Sequence, residues 1–263
     1  MNYEKIAVET RGPVGIIKLN DPAKLNAVSG QMIVEMDQAF DTLATTVRAI
    51  ILTGAGRAFC SGAALDGRLG APGVDRSQRD AGEFLESHIN PLMSKLRDLP
   101  IPWITAVRGP AAGVGASFAL AGDLVVASEN AYFLQAFARI GLVPDGGSTH
   151  LLVRTIGRVR TMELALLADR LPAAKALEWG LINRVVADAT LEDEAMKIAS
   201  TLAAGPCIAL GMIRRSVWNA VDADWARTLQ AERNFQRTAS RCEDFDEGLA
   251  AFAAKRPAAF TGK

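Results

Sequence analysis

The sequence has few residues that could bind a metal ion. It contains only 2 histidines and 3 cysteines, and Cys60, Cys207 and Cys242 are not clustered. Because a protein metal site needs several such ligands at short spacing, we expect no metal ion. An odd number of unpaired cysteines in a chain of 263 residues indicates reduced thiols and a cytoplasmic location.

The sequence also has no excess of charge of either sign and no long apolar run. Lys and Arg together number 29, as do Asp and Glu, so no surplus of positive charge indicates nucleic-acid binding. No run approaches the roughly 18 apolar residues that a membrane span needs. The chain begins MNYEKIAVET, which includes acidic residues and no apolar core, so we expect neither a signal peptide nor a transit peptide.

Length and composition predict a folded α/β protein. Hydrophobic residues make up 49% of the 263 residues and charged residues 22%, which is typical of a chain with a substantial core. Strand patterns alternate with helical patterns up to about residue 135, and the remainder is mostly helical. We therefore predict an α/β core over residues 1–200 and a helical region over residues 201–263.

Local patterns predict several individual elements. Apolar residues on both sides of residues 11–13 predict a β-hairpin. Ser29 is predicted to cap a helix, and Pro91 is predicted to kink one. Thr190 and Asp193 resemble a capping box at the start of a later helix.

Two loops rich in small residues stand out. Residues 103–123, WITAVRGPAAGVGASFALAGD, combine an apolar strand, a glycine-rich turn and a helix. Free backbone amides at such a helix start can hold a negative charge or a developing oxyanion. Residues 54–65, GAGRAFCSGAAL, form a second loop after a strand, so the two loops together indicate one site with two walls. Glycine-rich turns also serve packing alone, and the pattern does not decide between these roles.

Four segments are specific in their order and spacing. They are DPAKLNAVS (21–29), GAGRAFCSGAAL (54–65), AVRGPAAGVGASFALAGDLVVAS (106–128) and IGLVPDGGSTHLL (140–152). Together they resemble the enoyl-CoA hydratase/isomerase (crotonase) family over essentially the whole chain. The resemblance implies the crotonase (ClpP-like) fold, with repeated β-β-α units and a C-terminal helical region for trimerisation. It also implies an acyl-CoA thioester as substrate, no cofactor beyond that CoA, and a homotrimer or hexamer.

The resemblance also assigns site residues. The backbone amides of Ala63 and Val114 are expected to hold the thioester oxygen. Chemistry beside a thioester carbonyl builds up an enolate, and losing one such donor costs about 2.7–4 kcal/mol in well-studied enzymes. The expected substrate and CoA contacts are Ala23, Lys24, Leu25, Ala64, Leu65, Gly115, Ser117 and Phe137, with Phe252 and Lys255 reaching a neighbouring subunit's CoA.

The sequence departs from the family's hydratases at the acid–base positions. Those enzymes use two glutamates, where this chain has Ser117 and Phe137. Asp145 instead lies in PDGG, where the family's Δ3-Δ2-enoyl-CoA isomerases and the ring-opening isomerases of the phenylacetate pathway carry an acidic residue. One carboxylate can move a proton between two carbons. The sequence therefore favours an isomerase with Asp145 as catalytic base, its basicity raised by apolar neighbours such as Phe137.

Alternatives stay open at this point. Asp145 and water could support a hydratase with a non-standard site, or the chain could bind CoA thioesters without catalysis. Asp145 could also merely cap a helix that begins near Gly147. A hydrolytic triad of Ser117, His150 and Asp145 is disfavoured because the GxSxG motif is absent.

Overall fold

A computed structural model describes residues 3–64, 75, 77 and 79–263 of the chain. Within these residues the strands are β1 (Ile6–Arg11), β2 (Val14–Leu19), β3 (Ala49–Gly54), β4 (Trp103–Val107), β5 (Pro110–Ala112), β6 (Leu124–Ser128), β7 (Tyr132–Leu134), β8 (Leu171–Pro172) and β9 (Arg184–Val186). The helices are α1 (Gly30–Thr46), α2 (Gly82–Phe84), α3 (Asn90–Asp98), α4 (Val114–Leu120), α5 (Ser148–Leu167), α6 (Ala173–Glu178), α7 (Leu191–Ala203), α8 (Cys207–Asp222), α9 (Trp225–Ala239) and α10 (Glu243–Ala253).

The strands form a large sheet and a small one. The large sheet has the order β1-β2-β3-β4-β6-β9. Its first pair is the antiparallel hairpin that the sequence predicts, and the other neighbours run parallel. The small sheet has the order β5-β7-β8 and begins directly after β4. Its first strand, β5, therefore lies in the chain between β4 and the glycine-rich turn.

The large sheet is buried on both faces. Alternate residues of β3 belong to different cores, with Ile50 and Leu52 on one face and Ala49 and Ile51 on the other. Apolar residues of α7 cover the second face, while α1, α3 and α4 supply residues to the first. Burial on both faces is typical of parallel sheets, whose strands are apolar throughout.

The helical C-terminal region is attached to the core by buried polar contacts. Arg214 of α8 pairs with Asp123 and donates to the carbonyl of Leu96 at 3.1 Å. Arg48 donates to the carbonyl of Phe260 at 3.0 Å, which holds the end of the chain. The predicted domain boundary at residue 200 stays a prediction, and α7 spans that position.

Three local features depart from regular helices or from the elements predicted above. The run predicted to kink at Pro91 contains a wide π-helical turn, Leu85–Ile89, just before that proline. Helix α5 is interrupted at Gly157, whose φ of 78° and ψ of 167° suit glycine alone. The capping box at Thr190 is wrong, because the Thr190 hydroxyl donates to the carbonyl of Ala187 at 3.0 Å.

No single helix in the described part of the chain is long and apolar enough to cross a membrane. The segments 188–203 and 207–222 meet the length and composition criteria only as a pair, and they are bent by 107°.

Candidate active site

The two glycine-containing loops lie side by side. The Cys60 amide donates to the carbonyl of Pro110 at 3.0 Å, and the Ala112 amide donates to the carbonyl of Cys60 at 2.9 Å. The loop after β3 therefore continues the small sheet next to β5. This arrangement brings together the two walls that the sequence predicts.

Two backbone amides are free where these loops meet. Gly113 turns the chain from β5 into α4 with a φ of 53°, a conformation that favours glycine. A Cβ atom on Gly113 would lie 3.7 Å from Cα of Gly62, so the peptides that follow these glycines are neighbours. Within the described residues, neither the Ala63 amide nor the Val114 amide has a hydrogen-bond acceptor. Two unpaired amides that lie close together can donate hydrogen bonds to one oxygen atom of a bound molecule.

Gly115 and Cys60 fix the distance between the two loops. A Cβ atom on Gly115 would lie 2.6 Å from Sγ of Cys60 and 2.7 Å from its carbonyl oxygen, so only glycine fits. Burial raises the pKa of the Cys60 thiol to about 12, so it stays neutral. Cys60 therefore acts as a small buried side chain that fills space between the two loops.

Asp145 lies on the loop between the 3₁₀ turn Ala136–Ile140 and α5. Its Oδ1 atom is buried and has no hydrogen-bond partner among the described residues. Burial raises the pKa of this carboxyl to about 6, in the direction that the sequence predicts. The helix-cap alternative is wrong, because Gly147 is the N-cap of α5 and no side chain caps that helix.

The Asp145 loop packs on the glycine-rich turn. A Cβ atom on Gly146 would lie 2.9 Å from Cβ of Ser117 and 3.3 Å from Cγ2 of Val114. Phe137 is buried, and its Cζ atom would lie 3.9 Å from a Cβ atom on Gly113. The Asp145 loop, the buried phenylalanine and the turn that carries the Val114 amide therefore pack against one another.

The hydrolytic triad does not form. The Ser117 hydroxyl donates to the carbonyl oxygen of Asp145 at 2.9 Å, so it contacts the main chain of that residue. The Nε2 atom of His150 lies 3.8 Å from Oδ1 of Asp222, on the side of α8.

The segment predicted to bind CoA lies against the same loop. The Ser61 amide donates to the carbonyl of Leu25 at 3.0 Å, and its hydroxyl donates to the carbonyl of Lys24 at 3.2 Å. Ala23 and Lys24 are exposed in the turn Pro22–Lys24. These contacts place the Lys24 turn beside Ala63 and Ala64, while Leu65 lies outside the described residues.

Asn26 has a positioning role that the sequence analysis missed. Its Nδ2 atom donates to the carbonyls of Ala55, Ala58 and Phe59 at 3.0, 2.8 and 3.2 Å, and its side chain is fully buried. Its Oδ1 atom accepts from the Asp21 amide at 2.9 Å. Asn26 has a φ of 56°, which asparagine tolerates better than most residues. An asparagine between apolar neighbours in a polar loop was the signal available in the sequence.

The predicted contacts to a neighbouring subunit are on the surface. Phe252, near the end of α10, is 86% exposed, and Lys255 is exposed just beyond that helix. Their role needs a second chain, so it stays a prediction. The described residues include no group of 3 or more His, Cys, Asp or Glu side chains that could hold a metal ion.

The geometry can be compared with known proteins. The family model described as enoyl-CoA hydratase/isomerase matches residues 9–263. The chain belongs to this family. A relative from Escherichia coli (strain K12), 1,2-epoxyphenylacetyl-CoA isomerase, is 43% identical over 251 residues, or 94% of each chain. A Rhodobacter capsulatus relative, named as a probable enoyl-CoA hydratase, is 37% identical over 263 residues and all of both chains.

Solved structures of the enoyl-CoA hydratase/isomerase family have the same fold. One from Geobacillus kaustophilus HTA426, described as enoyl-CoA hydrates subunit I, superposes with a TM-score of 0.91 at 36% identity over 99% of both chains. The predicted crotonase fold with its helical C-terminal region is therefore confirmed. The family acts on acyl-CoA thioesters. The relatives of this chain include one named as an isomerase and one named as a probable hydratase.

Proposed function

We propose that this member of the enoyl-CoA hydratase/isomerase family is an acyl-CoA isomerase, which shifts a double bond or opens a ring epoxide next to a CoA thioester. The observation that carries the proposal is the position of Asp145. Oδ1 of its carboxyl group is buried and unpaired within the described residues, and its loop packs on the turn that carries the Val114 amide, which lies next to the Ala63 loop. The 43% identical relative named 1,2-epoxyphenylacetyl-CoA isomerase supports the same class of reaction.

The double-bond shift needs one base and one oxyanion site. The Asp145 carboxylate takes a proton from C2 of a 3-enoyl thioester, and the electrons of that C–H bond form a dienolate. The amides of Ala63 and Val114 stabilise the negative charge on the thioester oxygen. Protonated Asp145 then returns the proton to C4, which leaves a 2-enoyl thioester and the original carboxylate. A raised pKa suits Asp145 to both halves of this transfer.

The hydratase alternative has less support from the site. Hydratases of the family need two carboxylates, and the corresponding residues here are a buried serine and a buried phenylalanine, Ser117 and Phe137. Neither can activate water as a base. A non-catalytic role is also less favoured, because a partly buried carboxyl group with a raised pKa is typical of acid–base catalysts.

The substrate's CoA is proposed to bind along the Lys24 turn, with Ala23, Leu25, Ala64 and Leu65 beside it. The exposed Lys24 ammonium would meet the nucleotide phosphates. No cofactor beyond this CoA is part of the proposal. Phe252 and Lys255 would reach the CoA of a neighbouring subunit in a trimer or hexamer, and the cytoplasmic location stays a prediction.

Replacing the base tests the proposed function. We expect Asp145→Asn to lower kcat for isomerisation of a 3-enoyl-CoA by about 100-fold or more, because the amide cannot accept the proton. For the unmodified protein, kcat/KM should fall about tenfold per pH unit below roughly pH 6, since only ionised Asp145 is active. Asp169→Asn, at an exposed position, is the matched control and should keep full activity. An Asp145→Asn protein with unchanged kcat would refute the role of Asp145.

A further inference from the structure

Ser117 holds the main chain of the residue that carries the reaction. It lies on α4, one turn after Val114, and its side chain is fully buried. Its hydroxyl donates to the carbonyl oxygen of Asp145 at 2.9 Å. The same oxygen accepts the Ser148 amide at 3.1 Å, so the Asp145 peptide is held from two directions.

Close packing supports this hydrogen bond. A Cβ atom on Gly146 would lie 2.9 Å from Cβ of Ser117 and 3.1 Å from its Oγ atom, so no other side chain fits between the loop and α4. The Asp145 carboxylate has no hydrogen bond of its own through Oδ1 within the described residues. The position of the carboxyl group therefore depends on the main chain that carries it, and that main chain is held at the carbonyl of Asp145.

We propose that Ser117 is a positioning residue, whose hydroxyl fixes the Asp145 loop against α4 and so holds the carboxylate beside the Val114 amide. This inference rests on the proposed isomerase function. Ser117 acts through Asp145 and does not itself need to touch the substrate.

The same contact makes position 117 decisive for the type of reaction. A glutamate at 117 would need space for its carboxylate beyond the position of Oγ, where the Asp145 carbonyl and Gly146 now lie. We therefore expect a glutamate at 117 and the present position of the Asp145 loop to exclude each other. We expect Ser117→Glu to lose isomerisation without gaining hydration of a 2-enoyl-CoA. A Ser117→Glu protein that hydrates while it still isomerises would contradict this exclusion.

The central test compares two buried serines beside the same loop. Ser117→Ala removes a hydroxyl that forms a hydrogen bond, whereas Ser148→Ala removes a buried hydroxyl that has no partner within the described residues. We expect Ser117→Ala to lower kcat about tenfold with KM within about twofold, because the base is no longer held in place. Ser148→Ala should leave both constants within about twofold of the original values.

The pH profile separates positioning from a general loss of structure. In Ser117→Ala the Asp145 loop is no longer held, so water reaches the carboxylate and its pKa falls towards the ordinary value for aspartate. The acid limb of the kcat/KM profile should therefore move to lower pH. A reduced fraction of folded enzyme would lower kcat and leave that limb in place. If Ser117→Ala keeps the wild-type kcat and an unshifted acid limb while Asp145→Asn is inactive, only the positioning role of Ser117 is overturned. An active Asp145→Asn would instead overturn the proposed function.

Discussion

At the scale of single residues, Asp145 combines a proposed catalytic role with an environment that disfavours its charge. Its pKa is raised to about 6 by burial, against about 3.9 for an unperturbed aspartate. The folded state therefore binds the proton more tightly than the unfolded state. The resulting destabilisation is absent below about pH 4 and fully present above about pH 7.

We therefore expect Asp145→Asn to be more stable than the original protein at pH 8. The free energy of unfolding should rise by about 1–2 kcal/mol, which is the pKa shift converted and discounted for partial exposure. The gain should shrink towards pH 4, because Asp145 is then neutral in both states. Urea unfolding of both proteins at the two pH values measures this difference, and a gain that does not depend on pH would contradict the burial of the charge.

The sequence allows predictions for residues that belong to family motifs but not for residues that act through distant partners. Roles for Asp145, Ala63 and Val114 could be predicted because each lies in a recognisable segment, and these roles stay predictions. The hydrogen bond from Ser117 to Asp145 joins residues that are 28 positions apart. The contacts of Asn26 likewise reach carbonyls 29 to 33 positions away. No local pattern specifies such pairs, because the fold alone brings them together.

At the scale of elements, the contact of α4 with the loop after β3 is the feature on which the proposed oxyanion site depends. We expect Gly115→Ala to destabilise the protein by about 1–3 kcal/mol and to reduce activity, because the added methyl group meets the Cys60 main chain at 2.7 Å. Gly248→Ala in α10 is the matched control, since its methyl group would have an ordinary 3.7 Å contact with Phe260.

Thermal unfolding of both variants tests this contrast. Gly248→Ala should be more stable by about 0.5–1 kcal/mol, because alanine has the higher helix propensity. Gly115→Ala with unchanged stability and activity would show that the two loops can separate without consequence.

Elements with strong local patterns were predicted well, and irregular ones were not. The first hairpin formed as predicted, and Ser29 caps α1 by accepting the Met32 amide at 3.2 Å. The short strand β5 was missed because only 3 residues pair, and its partner β7 is distant in sequence. Thr190 failed as a capping residue because a preceding carbonyl competes for its hydroxyl.

At the scale of the whole molecule, the last helices expose several large apolar side chains. Helix α9 buries none of its residues, and Trp225 at its start is 76% exposed. Ile213 and Val217, one turn apart on α8, are also exposed. Large exposed apolar faces indicate contacts with another chain, which agrees with the trimer that we propose.

Light scattering after size-exclusion chromatography tests the assembly. We expect the mass of three 28.0 kDa chains, or of two such trimers. Replacing both Ile213 and Val217 by Glu should shift the protein towards the single chain, because charge disfavours burial of that face. Asn219→Glu, at an exposed polar position of the same helix, should leave the mass unchanged. A single 28.0 kDa chain for the original protein would refute the trimer.

The most direct measurement is product analysis of the purified protein in deuterated water, with a 3-enoyl-CoA, a 2-enoyl-CoA and a ring-epoxide CoA thioester in separate reactions. An isomerase that uses Asp145 as its base should convert the 3-enoyl-CoA to the 2-enoyl-CoA, or isomerise the ring epoxide, and it should form no 3-hydroxyacyl-CoA. Deuterium should enter C4 only in those turnovers in which protonated Asp145 exchanges its proton with the solvent. Formation of 3-hydroxyacyl-CoA from the 2-enoyl-CoA would contradict the proposed function, because hydration needs a second acid–base group, and the described residues of this site provide none.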